Sequence, residues 1–126
     1  MPSPAARSAP ALDGAVVTKA VMRAATRLGV SNRALALIIG LSEATVSRMG
    51  NGAYTLTPGD KAFELSVLFI RLFRALDSIV DGDEAVAHAW LRNENATLGG
   101  RPLTLIRSVA GLTNTVGYLD ARRALV

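Results

Sequence analysis

The stretch from Ser31 to Gly52, SNRALALIIGLSEATVSRMGNG, constrains the fold of this chain more than any other. Ser31 and Ser42 each stand one residue ahead of a helical run. There a hydroxyl accepts a hydrogen bond from a backbone N–H that has no partner inside the helix. Leu35, Ala36, Ile39, Leu41, Val46 and Met49 make an apolar set at helical spacing. Ala36 is small where two crossing helices approach, and Gly40 lacks a Cβ and so ends the first helix in a left-handed conformation. Two short helices joined by a tight turn at Gly40 meet the requirements of a helix-turn-helix, whose second helix presents its outer face to a DNA major groove.

With Val46 and Met49 turned to the core, Glu43, Ala44, Ser47 and Arg48 face outward, Ser42 stands at the entry, and Asn51 completes the candidate DNA-binding set. Arg48 suits a guanine or phosphate contact, and Ser47 a phosphate or base edge. Glu43 either accepts from a cytosine amino group or, in the first turn, complements the helix dipole. The stretch resembles the helix-turn-helix of Xre-type repressors through Leu35-Ala36, Ile39-Gly40-Leu41-Ser42, Thr45-Val46-Ser47-Arg48 and Asn51-Gly52. Three positions depart from that pattern: Asn32 stands where Gln is common, Glu43 is acidic, and Gly50 replaces a common Glu.

Charge is uneven along the chain. Residues 1–55 hold six Arg/Lys against two acids, residues 56–96 four against seven, and residues 97–126 four against one, for a net charge of +4. A basic end beside a recognition helix suits a polyanion, because neutralising phosphates releases counterions. The alternative is a surface whose cations are nearly all arginine, with no partner implied. The absence of cysteine excludes disulfides, thiolate metal sites and cysteine nucleophiles. A single histidine, His88, with no second metal-type ligand nearby reads as structural, and no nucleophile, base and orienter set supports an enzyme. No metal or cofactor is expected. The most apolar stretch, Phe63 to Val80, carries Glu64, Arg71, Arg74 and Asp77, so no membrane span is expected and a cytoplasmic address follows by default.

In order along the chain, residues 1–12 are rich in Pro, Ala and Ser and read as a disordered tail. Asp13 caps a first helix to Leu28 that buries Val17, Ala20, Val21, Ala24 and Leu28 and leaves Lys19, Arg23 and Arg27 along one edge. That edge is either simply solvated or reaches phosphates. Thr57, Pro58 and Asp60 read as N-cap, first helical residue and capping acid of the longest helix. Its two apolar stripes, Leu65-Leu68-Phe69-Leu72-Leu76-Ile79 and Phe63-Val67-Ile70, make it the central helix of the monomer or a subunit contact, and a homodimer is the preferred reading. Asp81-Gly82-Asp83-Glu84 breaks the helix and starts another that reaches about Arg92 and carries Trp90, either a core anchor or a partner-facing indole. Gly99-Gly100 predicts a tight turn, Pro102 a helix start, Gly111 the end of that short helix, and Thr113 the cap of the last. Val116, Leu119 and Val126 give the last helix an apolar edge.

This downstream half resembles the toxin-binding domain of the Xre/MbcA/ParS antitoxins, partners of RES-domain toxins, through Trp90-Leu91, Leu98-Gly99-Gly100-Arg101-Pro102-Leu103 and the region Gly111 to Leu119. The resemblance implies an antitoxin that binds its toxin through Trp90, Gly99, Gly100, Arg101 and Pro102. It also implies that the C-terminal end, Asp120 with Arg122, Arg123, Ala124, Leu125 and Val126, blocks the active-site mouth of an ADP-ribosyltransferase-like enzyme that degrades NAD. The tail lacks the Gly-Val-aromatic ending frequent in that family. Arg122 and Arg123 either pair with toxin carboxylates or form a solvated face. Removing residues 119–126 is expected to release the toxin and leave the fold intact.

The fold class expected is all-α: an N-terminal helix-turn-helix bundle (13–56) joined by a long apolar helix (57–80) to a small C-terminal helical toxin-binding domain (81–126). The partners expected are the toxin, operator DNA and a second copy of the chain. The competing reading is a simple transcriptional repressor whose C-terminal half dimerises or senses a ligand.

Overall fold

The computed structural model describes residues 13–125, so the expected tail, residues 1–12, and Val126 lie outside the described residues. The architecture is all-α, with seven helices among those residues: α1 Gly14–Arg27, α2 Asn32–Ile39, α3 Glu43–Gly50, α4 Lys61–Ile79, α5 Glu84–Arg92, α6 Pro102–Leu105 and α7 Val109–Arg123. None is long and apolar enough to cross a membrane.

Helix α4 is the central element, and α1, α2, α5 and α7 all pack on it. Its buried side includes Leu65, Phe69, Leu72, Ala75 and Leu76, while Phe63 is also buried and Val67 and Ile70 are half-buried against α1. Both apolar stripes are therefore largely covered within one chain, so the two-sided pattern of this helix does not by itself require a second subunit. The start of α4 differs from expectation. Asp60 N–H donates to the Thr57 carbonyl at 3.1 Å, and Gly59 has φ +94°, so Thr57-Pro58-Gly59-Asp60 is a tight turn and the helix begins at Lys61. Proline followed by glycine suits the two central positions of such a turn better than a helix start followed by a left-handed residue.

Helix α1 begins as expected, with Asp13 Oδ1 accepting the Ala15 N–H at 2.6 Å. Thr18 is buried; its hydroxyl donates to the Gly14 carbonyl at 2.6 Å and accepts the Leu56 N–H at 2.9 Å, which ties the segment after α3 back onto α1. A left-handed Gly29, φ +65°, ends this helix, and its Cα faces the His88 ring so closely that a Cβ would collide with it.

Two side chains of α5, His88 and Arg92, grip that helix end. His88 Nε2 lies 3.0 Å from the Arg27 carbonyl, and Arg92 donates to the Leu28 and Gly29 carbonyls at 3.4 and 2.7 Å. The last carbonyls of a helix lack intrahelical partners, so these bonds fill vacancies that the helix itself creates. The Arg27 guanidinium turns the other way, 3.7 Å from Asp77 Oδ1, 3.5 Å from Glu84 Oε1 and over the Phe73 ring. The lone histidine is thus structural, and Arg27 is a junction residue, engaged on α4 and α5 where the sequence left its edge either solvated or reaching phosphates.

The last helix also starts elsewhere than expected. Ser108 is its N-cap, with Oγ accepting the Gly111 N–H at 3.0 Å, so Gly111 and Thr113 lie inside α7. Gly111 is a packing residue: a Cβ there would run into the Leu105 carbonyl, where α6 hands over to α7. Gly111→Ala is expected to destabilise the fold by about 3 kcal/mol, the upper end for overpacking, read as a lowered urea midpoint with unchanged slope. Leu119 is buried and Asp120 pairs with Arg71 of α4 at 2.9 Å. The expectation that residues 119–126 can be removed without harm to the fold is therefore corrected: the fold extends through Asp120.

Candidate functional site

Two surfaces carry the residues singled out by sequence. The first is the outer face of α3. Ser31 Oγ accepts the Ala34 N–H at 3.1 Å and Ser42 Oγ accepts the Thr45 N–H at 3.1 Å, so both hydroxyls cap their helices. Gly40 sits at φ +75°, ψ +35° and turns α2 into α3, where Val46 and Met49 are buried. Their burial leaves Glu43, Ala44, Ser47 and Arg48 exposed on the opposite face. Ser42 and Asn51 have other duties first: Ser42 caps α3, and Asn51 Oδ1 accepts the Ala53 N–H at 3.1 Å to close the exit turn. Asn51 still keeps its side-chain N–H donors for a phosphate oxygen, and the Ser42–Thr45 pair keeps one hydroxyl proton between them. Lys19 and Arg23 of α1 are exposed, whereas Arg27 is engaged at the junction.

Sequence reasoning missed Thr45. Its Oγ1 lies 2.8 Å from Ser42 Oγ and accepts from Arg48 Nη2 at 3.2 Å. The signal was the Ser-x-x-Thr-x-x-Arg spacing, which stacks three polar side chains along one side of a helix.

The second surface is built by α5, α6, α7 and the loop between α5 and α6. Asn95 organises that loop: its backbone exchanges hydrogen bonds with Gly100 at 2.9 and 3.2 Å, and its Oδ1 accepts the Leu98 N–H at 3.0 Å. Gly99, φ +85°, makes the reversal possible, Gly100 lies against the Leu105 side chain, and Pro102 is buried as the first residue of α6. These three shape the loop from within. Arg101 is exposed and lies 3.6 Å from Glu94.

Trp90 is half-buried and stacks on Tyr118 of α7, with ring centroids 6.3 Å apart and planes 22° from parallel. The Arg122 guanidinium covers the same Tyr118 ring at 5.7 Å and donates to its hydroxyl at 3.3 Å. The structure thus joins Trp90 and Arg122 into one patch through Tyr118, a residue the sequence did not flag. Its i, i+4 relation to Arg122 was the available clue. Asp120 does not join this patch; its carboxylate faces Arg71. Arg123, Ala124 and Leu125 are exposed beyond it, Leu125 at 89 %. Among the described residues no cluster of histidine and carboxylates is arranged to hold a metal ion.

Comparison with known families separates the same two regions. Residues 8–71 match the antitoxin Xre-like helix-turn-helix domain, and residues 75–124 match the antitoxin Xre/MbcA/ParS C-terminal toxin-binding domain. No curated protein matches the chain. A helix-turn-helix with its outer face open, matched over half the chain and followed directly by a matched toxin-binding domain, places this chain in the family of Xre-type antitoxins.

Proposed function

We propose that this antitoxin neutralises a RES-domain toxin, an ADP-ribosyltransferase-like enzyme that degrades NAD, by seating its C-terminal end in the toxin's active-site mouth. The observation that carries this reading is the matched toxin-binding domain, whose final helix is followed by an exposed Leu125. A leucine left in water beyond the last helix gains about 2 kcal/mol when a partner buries it. The Trp90–Tyr118–Arg122 patch supplies the residue types that dominate protein interfaces, two aromatics and an arginine. In this reading residues 81–126 bind the toxin, residues 57–80 connect, and residues 13–56 bind DNA.

The DNA-binding role proposed is repression of the antitoxin's own operon, in the cytoplasm, as a homodimer. A single recognition helix presenting four outward side chains reads few base pairs, and two-fold pairing of helix-turn-helices is the usual way to double the site. The test is co-expression with the product of the adjoining reading frame. A stable complex that survives purification is expected; recovery of the two proteins separately would contradict the toxin-binding role.

A further inference from the structure

Ser42, Thr45 and Arg48 form a continuous hydrogen-bonded row along α3. A guanidinium carries donors only, so Thr45 Oγ1 accepts from Arg48. Ser42 Oγ already accepts the Thr45 backbone N–H. One of the two hydroxyl protons fills the 2.8 Å contact between Ser42 and Thr45, and the other remains for an acceptor outside the helix. Thr45 is half-buried, and a β-branched side chain has few χ1 choices in a helix, so it is a stiff post for a long and flexible neighbour.

We propose that Thr45 is a positioning residue for DNA recognition: its hydroxyl holds the Arg48 guanidinium in one orientation before DNA arrives. This rests on the reading of α3 as the DNA-contacting helix. An exposed arginine without such a bond is spread over many rotamers, and immobilising it on binding costs about two- to tenfold in affinity. Because the bond fixes direction as well as freedom, losing it lowers discrimination between DNA sequences more than it lowers affinity for DNA in general.

The test uses the full chain and two probes, duplex DNA from immediately upstream of its own coding sequence and mixed-sequence genomic DNA. Thr45→Val keeps the side chain's shape and removes the hydroxyl; Thr45→Ser keeps the hydroxyl. The expected result is a roughly two- to tenfold loss of affinity for the upstream duplex in Thr45→Val, a smaller loss for genomic DNA, and recovery in Thr45→Ser. In an Arg48→Ala background, Thr45→Val adds no further loss. Unchanged binding by Thr45→Val, failure of Thr45→Ser to recover, or an equal loss in the Arg48→Ala background overturns the positioning role. If Arg48→Ala itself changes binding to neither probe, the DNA reading of α3 falls along with it, so the two failures are distinguishable.

Discussion

A chain ending at Arg123 is expected to fold and melt as the full chain does, yet to leave the toxin's NAD turnover close to that of the toxin alone. The truncation point follows from packing. Leu112, Val116 and Leu119 are the buried side chains that hold α7, and the Asp120–Arg71 pair closes its far end on α4. Residues 124 and 125 follow Arg123, the last residue of α7, and both are exposed. Their removal takes away two exposed residues, while the Trp90–Tyr118–Arg122 patch, the proposed toxin contact, stays in place. Cutting back to Tyr118 instead removes Leu119 from the core at a cost of about 2–5 kcal/mol, and loss of neutralisation there would report unfolding. Comparing the two truncations by urea unfolding and by NAD turnover separates these effects. Full neutralisation by the chain ending at Arg123 would show that the terminal residues are not the plug.

Arg48→Ala is the second large effect. Removing one arginine from a DNA interface costs about 1–3 kcal/mol, so affinity for the upstream duplex should fall by roughly fivefold to more than a hundredfold. If Arg48 sits on a phosphate, the substitution lowers the slope of log affinity against log salt by about one. If it sits on a base edge, the slope stays and sequence preference relaxes. The protein's unfolding midpoint should hardly move, since Arg48 is exposed and its one bond is to a neighbouring hydroxyl. Fluorescence anisotropy over a salt series measures both quantities. An unchanged affinity would mean that α3 does not read DNA through this face.

Much of the fold was legible because its signals are local. Asp13, Ser31, Ser42 and Asp83 are N-caps, Gly40 takes the left-handed turn, and Pro102 opens α6. Each depends on residues within one helical turn. The two misplaced helix starts have different causes. Glycine often terminates a helix, which is the role Gly111 suggests in sequence, but here it lets α7 cross the Leu105 carbonyl, a constraint set by the approach of another segment. Thr57-Pro58 carries the marks of a helix start, and the left-handed Gly59 decides for a turn instead.

The candidate sites were legible as residue types and less so as constellations. Arg48 and Trp90 stand out singly. Thr45 and Tyr118, which touch them, carry only a helical spacing to an arginine in the sequence, and the fold turns that spacing into contacts. The same holds for the junction. His88 and Arg92 lie more than sixty positions from the backbone carbonyls they reach, and no local pattern announces that one helix end is capped by another helix's side chains. Asp120, expected at the partner surface, is likewise paired within the chain to Arg71, forty-nine positions away.

In the proposed function this chain silences an NAD-degrading toxin by binding it. NAD turnover by the purified product of the adjoining reading frame, titrated with the full antitoxin, measures this. Turnover falling to background once the antitoxin reaches the ratio of the complex is the predicted result. Turnover that continues at the full rate in antitoxin excess would contradict it.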